Sequence, residues 1–137
     1  MSDDCIFCRI VEGKIPSCKV CQDELTLAFL DIGPLSEGHC LLIPRQHYAR
    51  LDECPAATLA ALGRNLGPLA RAVVDAVGAE GYNVLNNNDR CAGQLVEHIH
   101  FHIIPRNPGD GVFTQWPAGE YPEGRIEQLA ENIKKLL

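Results

Sequence analysis

The chain has 137 residues, of which 46% are hydrophobic and 22% charged, a composition typical of one soluble globular domain spanning residues 1–137. The net charge of −6 comes without a basic patch, which argues against nucleic-acid binding. No stretch approaches the ~20 apolar residues of a membrane helix, and the acidic start Met1-Ser2-Asp3-Asp4 is unlike a secretory signal, so we expect a cytoplasmic protein. Seven cysteines, an odd number, favour free thiols or metal ligands over a disulfide framework.

The first half of the chain predicts short elements. Residues 5–11 suit a turn or short helix, and residues 14–21 a first short strand. Two apolar runs, 25–32 and 39–44, suit buried strands and are separated by the turn residues around Gly33-Pro34. The first half therefore predicts neighbouring strands.

The clearest helix is predicted over residues 52–77, with Pro55 in its first turn and a kink at Gly67-Pro68. Gly78 or Gly81 is predicted to end it. Its apolar stripe consists of Leu59, Leu62, Leu66, Leu69 and Val73. Strands follow at 82–85 and 96–104, separated by a polar loop, and a Pro/Gly-rich loop at 105–124 leads to a C-terminal helix at 126–137. Strands in runs with one long helix between them predict an α+β fold with a mainly antiparallel sheet.

Three histidines stand at positions 98, 100 and 102. On a strand they share one face, with successive side chains roughly 6.6 Å apart. Such a group suits a catalytic metal site or nucleophilic catalysis by one imidazole, and the spacing alone leaves both open. The preceding loop, 86–94, favours the second, because its amides can donate to phosphate oxygens and Gly93 lets a ligand approach the main chain.

Together these segments resemble the histidine-triad (HIT) hydrolase family. The resemblance is carried by Gly93-Gln94-x-x-x-His98-x-His100-x-His102-Ile103-Ile104-Pro105-Arg106. It extends over Cys5-Ile6-Phe7-Cys8-Arg9-Ile10, Leu27-Ala28-Phe29-Leu30-Asp31-Ile32 and Gly38-His39-Cys40-Leu41-Leu42-Ile43-Pro44-Arg45-Gln46-His47, and so covers roughly residues 5 to 117.

The resemblance implies catalysis by a nucleotidyl-histidine intermediate. His100 corresponds to the nucleophile that attacks the α-phosphorus, and His102 to a donor to the phosphate. Gln94 corresponds to a side chain on the phosphate oxygens and leaving group, and Asn87 to a second amide near the same phosphate. Together these donors would stabilise charge on the pentacoordinate phosphorus.

The resemblance also implies a nucleoside pocket. Asp31 corresponds to the carboxylate that accepts from the ribose hydroxyls. The apolar walls of the base pocket correspond to Phe7, Ile10, Phe29 and Ile32, for which core packing is the alternative interpretation.

Family members that begin with Cys-x-x-Cys carry a zinc ion, and the matching ligands here are Cys5, Cys8, His47 and His98. Four protein ligands make a closed, structural site, so the resemblance implies one structural zinc per chain.

Some positions depart from the family pattern. Asp89 stands where many members have glycine, and Leu95 where the nucleoside phosphoramidase branch has a serine near the phosphate. Cys18 and Cys21 stand where small or aromatic residues are commoner, and we interpret them as apolar filler rather than a metal or redox pair. The leaving group is expected beside the loop 105–117.

The resemblance implies a nucleotide hydrolase or transferase. Its substrate would be a dinucleoside polyphosphate, a nucleoside phosphoramidate or an acyl-nucleotide, and the protein a homodimer. Two alternatives stay open: a metal-dependent hydrolase that uses all three triad histidines as ligands, and a nucleotide sensor that binds without turnover.

Overall fold

The computed structural model describes residues 3–113 and 115–137 and has an α+β fold, as predicted. Met1 and Ser2 of the acidic N-terminus, and Thr114 of the loop 105–117, lie outside the described residues. The elements in chain order are α1 (Ile6–Val11), β1 (Lys19–Gln22), β2 (Thr26–Leu30), β3 (Cys40–Pro44), α2 (Ala56–Val77), β4 (Gly81–Asn86), β5 (Phe101–Arg106) and α3 (Arg125–Leu136).

The described strands form a five-stranded antiparallel sheet in the order β1-β2-β3-β5-β4. Strand β5 lies between β3 and β4, so that His102 is opposite Leu41 on one side and opposite Leu85 on the other. The last triad histidine is therefore held in the sheet between two neighbouring strands.

The two faces of the sheet bury different sets of side chains. Leu42 and Ile103 pack with Leu62 and Leu69 of α2 in one cluster. On the opposite face, α1 contributes Phe7 and Ile10 to a second cluster with Phe29, Leu41 and Ile43. Alternation along β2 and β3 thus places one set of residues under the long helix and the other beside the histidines.

Helix α2 differs from its prediction at its start. It begins at Ala56 and not at residue 52, because Pro55 is extended (φ −60°, ψ 150°) and Leu51–Glu53 form a separate 3-10 turn. The helix continues through Pro68 and ends at Gly78, whose left-handed backbone (φ 68°) stops it as predicted. The predicted apolar stripe is confirmed, since its residues are buried or pack against the core.

The predicted strand over 96–104 is wrong in its first half, because β5 begins only at Phe101. The backbone N–H of His98 donates to Val96 O (2.8 Å), and that of Ile99 to Tyr48 O (2.7 Å). These hydrogen bonds replace the strand ladder. His98 and His100 therefore lie in an irregular segment, and only His102 is in the strand.

The predicted C-terminal helix is confirmed as α3, yet none of its residues is buried in the single chain. Ile126, Ile133 and Leu136 of its apolar face are 55%, 55% and 86% exposed, so most of the apolar surface of this face is left uncovered in the single chain. Within the described residues no helix has the length and apolar character that a membrane crossing demands.

Candidate active site and metal centre

The three triad histidines lie in two environments. His100 and His102 line one pocket, with ring centroids 4.8 Å apart. His98 is fully buried and directs its Nδ1 toward the sulfurs of Cys5 and Cys8. The triad therefore separates into a pair of histidines that share one pocket and a histidine that belongs to a cysteine cluster.

His100 has the tautomer that a nucleophile needs. Its Nδ1 lies 2.7 Å from the carbonyl oxygen of His98, which can only accept, so Nδ1 carries the proton and donates. The lone pair is consequently on Nε2. Burial lowers the pKa of His100, which keeps the imidazole neutral and able to attack.

The tautomer of His102 is set by a neighbour, His39. The backbone N–H of Leu35 donates to Nδ1 of His39 (3.0 Å), so His39 carries its proton on Nε2. That Nε2–H donates to Nδ1 of His102 at 2.9 Å. His102 must then carry its own proton on Nε2, a buried nitrogen without a hydrogen-bond partner among the described residues. The chain of hydrogen bonds thus leaves one N–H donor unused beside His100.

Burial also controls the charge of this pair. It lowers the pKa of His102 to about 4, and it lowers the pKa of His39, which the nearby Asp31 carboxylate raises in part. Both imidazoles are therefore neutral near pH 7, and the donor at His102 Nε2 is an uncharged N–H.

His39 was not among the predicted site residues. The sequence signal for it is a histidine at the start of an apolar strand, beside Gly38 and eight positions after Asp31 at the end of the Phe29-Leu30-Asp31 segment. Only the pairing of β3 with β5 brings it against His102, a contact between residues 63 positions apart.

Beside the two histidines lies a cavity of about 480 Å³. Of the residues predicted for the nucleotide site, it is lined by Phe7, Ile10, Phe29, Asp31, Ile32, Asn87, Gly93, His100 and His102. Phe7 and Phe29 stack edge to face at 5.5 Å, and the Phe7 ring also meets His100 at 5.2 Å. Phe7, Ile10 and Phe29 are buried and belong to the core as well, whereas Ile32 is fully exposed at the pocket.

Asp31 lies directly after β2 at the rim of this cavity. Its Oδ1 accepts from the N–H of Gly33 (2.8 Å), and its Oδ2 lies 3.7 Å from Nε2 of His39. The Gly33 contact fixes the carboxylate, which leaves oxygen lone pairs for hydroxyl donors in the cavity.

The polar loop between β4 and β5 brings Asn87 and Gly93 to the cavity. Gly93 has φ 93°, and a Cβ built on it would lie 3.3 Å from Asn87 Nδ2, so the turn and the close approach both favour glycine. The structure thus brings together at the cavity two residues for which the sequence predicted a phosphate contact.

Gln94 is not brought to the cavity, which is at odds with its predicted contact to the phosphate. It is only 3% exposed. Its Oε1 accepts from the backbone N–H of Asp89 (2.8 Å), and its Nε2 donates to the carbonyl of Ala49 (2.7 Å). Both ends of the amide bind backbone groups, which directs the side chain away from the histidines.

The four predicted metal ligands do come together, with their ligand atoms all within 4.8 Å of one another. Nδ1 of His98 lies 3.4 Å from Cys5 Sγ and 3.6 Å from Cys8 Sγ, and Nδ1 of His47 lies 3.4 Å from Cys8 Sγ. Ordinary Zn–S and Zn–N bond lengths give tetrahedral S···N edges of about 3.6 Å. Nε2 of His98 donates to Pro44 O (2.8 Å), which presents Nδ1 to a metal. The cluster fits a zinc ion.

The alternative of one metal held by all three triad histidines is contradicted by these contacts. His98 uses one ring nitrogen toward the cysteines and the other on Pro44 O, and His100 uses Nδ1 on the His98 carbonyl. A second group, Asp31, His39 and His102, also lies within 4.8 Å. A metal on Nε2 of His39 would move its proton to Nδ1, against the N–H of Leu35, so this group is poorly suited to a cation.

None of the seven cysteines, all of which the structure describes, forms a disulfide bond. Cys18, directly before β1, and Cys21, within it, are both exposed, so the interpretation of these cysteines as apolar filler is wrong.

Comparison with known proteins agrees with this architecture. The family model described as HIT domain matches residues 12–109. An adenosine 5'-monophosphoramidase of Schizosaccharomyces pombe is 45% identical over 130 residues, which cover 94% of this chain and 95% of that protein. A crystal structure from Streptococcus mutans UA159 superposes with a TM-score of 0.93 at 42% identity, covering 98% of this chain and 86% of that one.

A crystal structure of a zinc-bound histidine triad family protein from Mycobacterium smegmatis superposes with a TM-score of 0.76 at 33% identity, covering 98% of both chains. The family model and the relatives thus cover the sheet, the triad and the cysteine pair. This chain belongs to the HIT family.

Proposed function

We propose that this protein is a nucleotide hydrolase that cleaves at the α-phosphorus of a nucleoside phosphoramidate or a related nucleotide through a nucleotidyl-histidine intermediate. The observation that carries the proposal is the pair of complementary nitrogens. His100 offers a lone pair on Nε2, and His102 offers an N–H on Nε2, in adjacent rings of one cavity. A nucleophile next to a donor for the phosphate oxygen is what in-line displacement at phosphorus requires.

The chemistry would proceed in two displacements. Nε2 of His100 attacks phosphorus, the N–P bond forms, and the bond from phosphorus to the leaving amine or oxygen breaks while the leaving atom takes up a proton from solvent. Water then attacks the same phosphorus and gives up a proton to solvent, the His100–phosphorus bond breaks with the electron pair returning to Nε2, and the nucleoside monophosphate leaves. In both steps the N–H of His102 donates to a phosphate oxygen, while the His98 carbonyl stabilises the positive charge on the His100 ring through its Nδ1–H.

The phosphoramidate class is favoured by the activity named for the Schizosaccharomyces pombe relative. The pocket supports a nucleoside, since Phe7, Ile10 and Phe29 present apolar surface to a base and Asp31 an acceptor to the ribose. The leaving group would lie toward the loop 105–117. Phe113 of that loop lines the cavity under the guanidinium of Arg106, which is 5.6 Å from its ring.

The cysteine cluster is proposed to hold one structural zinc ion through Cys5, Cys8, His47 and His98. A bound zinc would link α1, the segment after β3 and the triad segment, and would take no part in the displacement. Because the carbonyl of His98 binds His100, this link also fixes the nucleophile.

A homodimer is proposed for the protein in solution. Its support is the apolar surface that the single chain leaves uncovered, on α3 and at Tyr82 and Val84 of the edge strand β4, which are 49% and 40% exposed. An isolated helix as short as α3 is marginal in water and is stabilised by packing, which a second copy supplies.

The test is turnover of adenosine and guanosine phosphoramidates and dinucleoside polyphosphates by wild type and His100→Asn. We expect wild type to hydrolyse at least one of them, and the variant to bind the nucleotide but lose several orders of magnitude in rate. A variant rate within about tenfold of wild type, ~1.4 kcal/mol of barrier, removes His100 from the role of nucleophile. Nucleotide binding by wild type without turnover of any substrate would identify a sensor.

A further inference from the structure

The loop that carries Asn87 and Gly93 contains a strained residue, Asp89. Its backbone angles, φ 71° and ψ 155°, lie in a region that is favourable only for glycine. A side chain in this conformation persists only when its surroundings impose it. What holds Asp89 therefore determines the shape of the whole loop.

The buried side chain of Gln94 makes two of the hydrogen bonds that fix Asp89 in this conformation. The backbone N–H of Asp89 donates to its Oε1 at 2.8 Å, and its Nε2 donates to the carbonyl of Ala49 at 2.7 Å. One side-chain amide thus joins the strained residue to the segment that follows β3. The backbone N–H groups of Ala92 and Gln94 also donate to Asp89 O, at 3.0 and 3.2 Å, and close the turn.

Arg50, the residue after Ala49, forms an ion pair with Asp89 at the surface. Nη1 of Arg50 lies 2.9 Å from Oδ2 of Asp89, while its Nε binds Asp52 at 3.0 Å. The next residue, Leu51, donates its N–H to Oδ1 of Asn88 at 2.7 Å. Half-exposed ion pairs are weak and are screened by salt, so the buried amide of Gln94 is the stronger attachment.

We infer that Gln94 is a positioning residue that acts through Asp89, and not a group that touches the substrate. Its amide holds the strained turn against Ala49, and the turn holds Asn87 and Gly93 at the place of the substrate phosphate. The inference rests on the proposed function for the identity of that phosphate. It predicts an energetic coupling between Gln94 and Asp89 that a direct phosphate contact would lack.

A double-mutant cycle with Gln94→Ala and Asp89→Gly tests the coupling. Glycine adopts the turn without strain, so the loop in the Asp89→Gly protein depends less on Gln94. We expect Gln94→Ala to lower kcat/KM for an adenosine phosphoramidate on the order of a hundredfold in the wild-type background, the effect of a misplaced binding group. In the Asp89→Gly background the loss should be at least fivefold smaller.

Two further variants make the cycle decisive. Gln94→Met keeps the volume of the buried side chain and should show the same coupling if Gln94→Ala fails to fold. Asn87→Ala is the matched control, because Asn87 lines the cavity, and its loss should be equal in both backgrounds. Equal losses for Gln94 variants in both backgrounds would overturn the inference and assign Gln94 to the substrate.

Hydrogen exchange in the substrate-free protein gives a readout independent of catalysis. The Asp89 amide should exchange faster by tenfold or more in Gln94→Met than in wild type, and unchanged exchange would contradict the inference. If wild type hydrolyses none of the substrates, the proposed function fails. The coupling is then measured from the affinity for AMP by calorimetry. If Gln94 variants lose the same affinity in the wild-type and Asp89→Gly backgrounds, the inference is again overturned.

Discussion

Nε2 of His39 donates to Nδ1 of His102 at 2.9 Å, and this one contact decides which ring nitrogen of His102 carries the proton. Because Leu35 N–H occupies the other nitrogen of His39, the direction of the hydrogen bond is fixed by the backbone. Three groups are thus linked, the main-chain N–H of Leu35, the ring of His39 and the ring of His102, and together they orient a single N–H donor.

His39→Leu should therefore impair catalysis although His39 is outside the triad. Leucine fills the space but cannot donate, so His102 loses its fixed tautomer, and we expect kcat to fall by about tenfold or more, ~1.4 kcal/mol of barrier, with a smaller change in KM. Steady-state kinetics with an adenosine phosphoramidate measures this. His39→Gln, which retains an N–H donor, should keep more activity than His39→Leu, and equal activities of the two variants would contradict the orienting role.

The neutral state of His102 predicts a pH dependence of stability. Its pKa is about 4 in the folded protein because of burial, against an ordinary value of 6.5. Between pH 6.5 and 4 the unfolded chain therefore binds a proton that the folded chain does not. The free energy of unfolding should fall as pH decreases through this window, by up to about 1.4 kcal/mol per pH unit for this group, and the loss should level off below pH 4.

Chemical denaturation at several pH values, at equal zinc occupancy, measures that slope. His102→Gln cannot titrate and should have a shallower dependence than wild type between pH 6.5 and 4. Identical slopes would mean that His102 is not held neutral in the folded protein.

Local patterns in the sequence predicted much of this fold. The apolar runs of β2 and β3 and the stripe of α2 are read directly from spacing, and Gly78 ends α2 as expected. Spacing failed at residues 96–100, where alternation of Ile99 and Phe101 suggested a strand. There the N–H of Ile99 donates to Tyr48 O, and Nδ2 of Asn86 donates to the carbonyl oxygen of His100 at 2.9 Å, so neither group is available to a regular strand ladder.

Residues of the site could be predicted where their position matches a family motif. They could not be predicted where their role depends on a hydrogen bond to a residue far away in the sequence. The four metal ligands were implied by the resemblance to the family, and the structure brings them together. The role of His39 depends on Leu35 and on the pairing of β3 with β5. The direction of the Gln94 amide depends on Ala49, 45 positions away. No local pattern contains these contacts.

Asp31 should determine affinity through the ribose. Asp31→Ala removes the acceptor at the rim of the cavity, and we expect the Kd for AMP to rise by about tenfold or more, the cost of losing a hydrogen bond to a charged group. Calorimetry measures it, and the 2'-deoxy nucleotide is the control. Wild type should bind the deoxy form more weakly than AMP, while the variant should discriminate less. A variant with wild-type affinity would place the ribose elsewhere.

Metal content in a set of variants distinguishes a structural metal at the cysteine cluster from a catalytic metal at His100. Metal analysis of purified wild type should give one zinc per chain. Cys5→Ser should lose most of it, because a thiolate ligand is removed, and Cys21→Ser, an exposed cysteine outside the cluster, should keep it. His100→Asn should also keep its zinc, because neither ring nitrogen of His100 is directed at the cluster. Its Nδ1 donates to the His98 carbonyl, and its Nε2 lies at the cavity. Stripping the metal with a chelator should lower the melting temperature of wild type, since zinc binding contributes folding free energy.

Activity should then decline with the loss of order around His98 and not in direct proportion to zinc occupancy. The reverse pattern, zinc lost from His100→Asn but retained in Cys5→Ser, would move the metal to the catalytic pair and remove His100 as nucleophile. Wild type without zinc would leave Cys5 and Cys8 as ordinary thiols, while the tautomer of His100, set by the carbonyl of His98, would be unaffected.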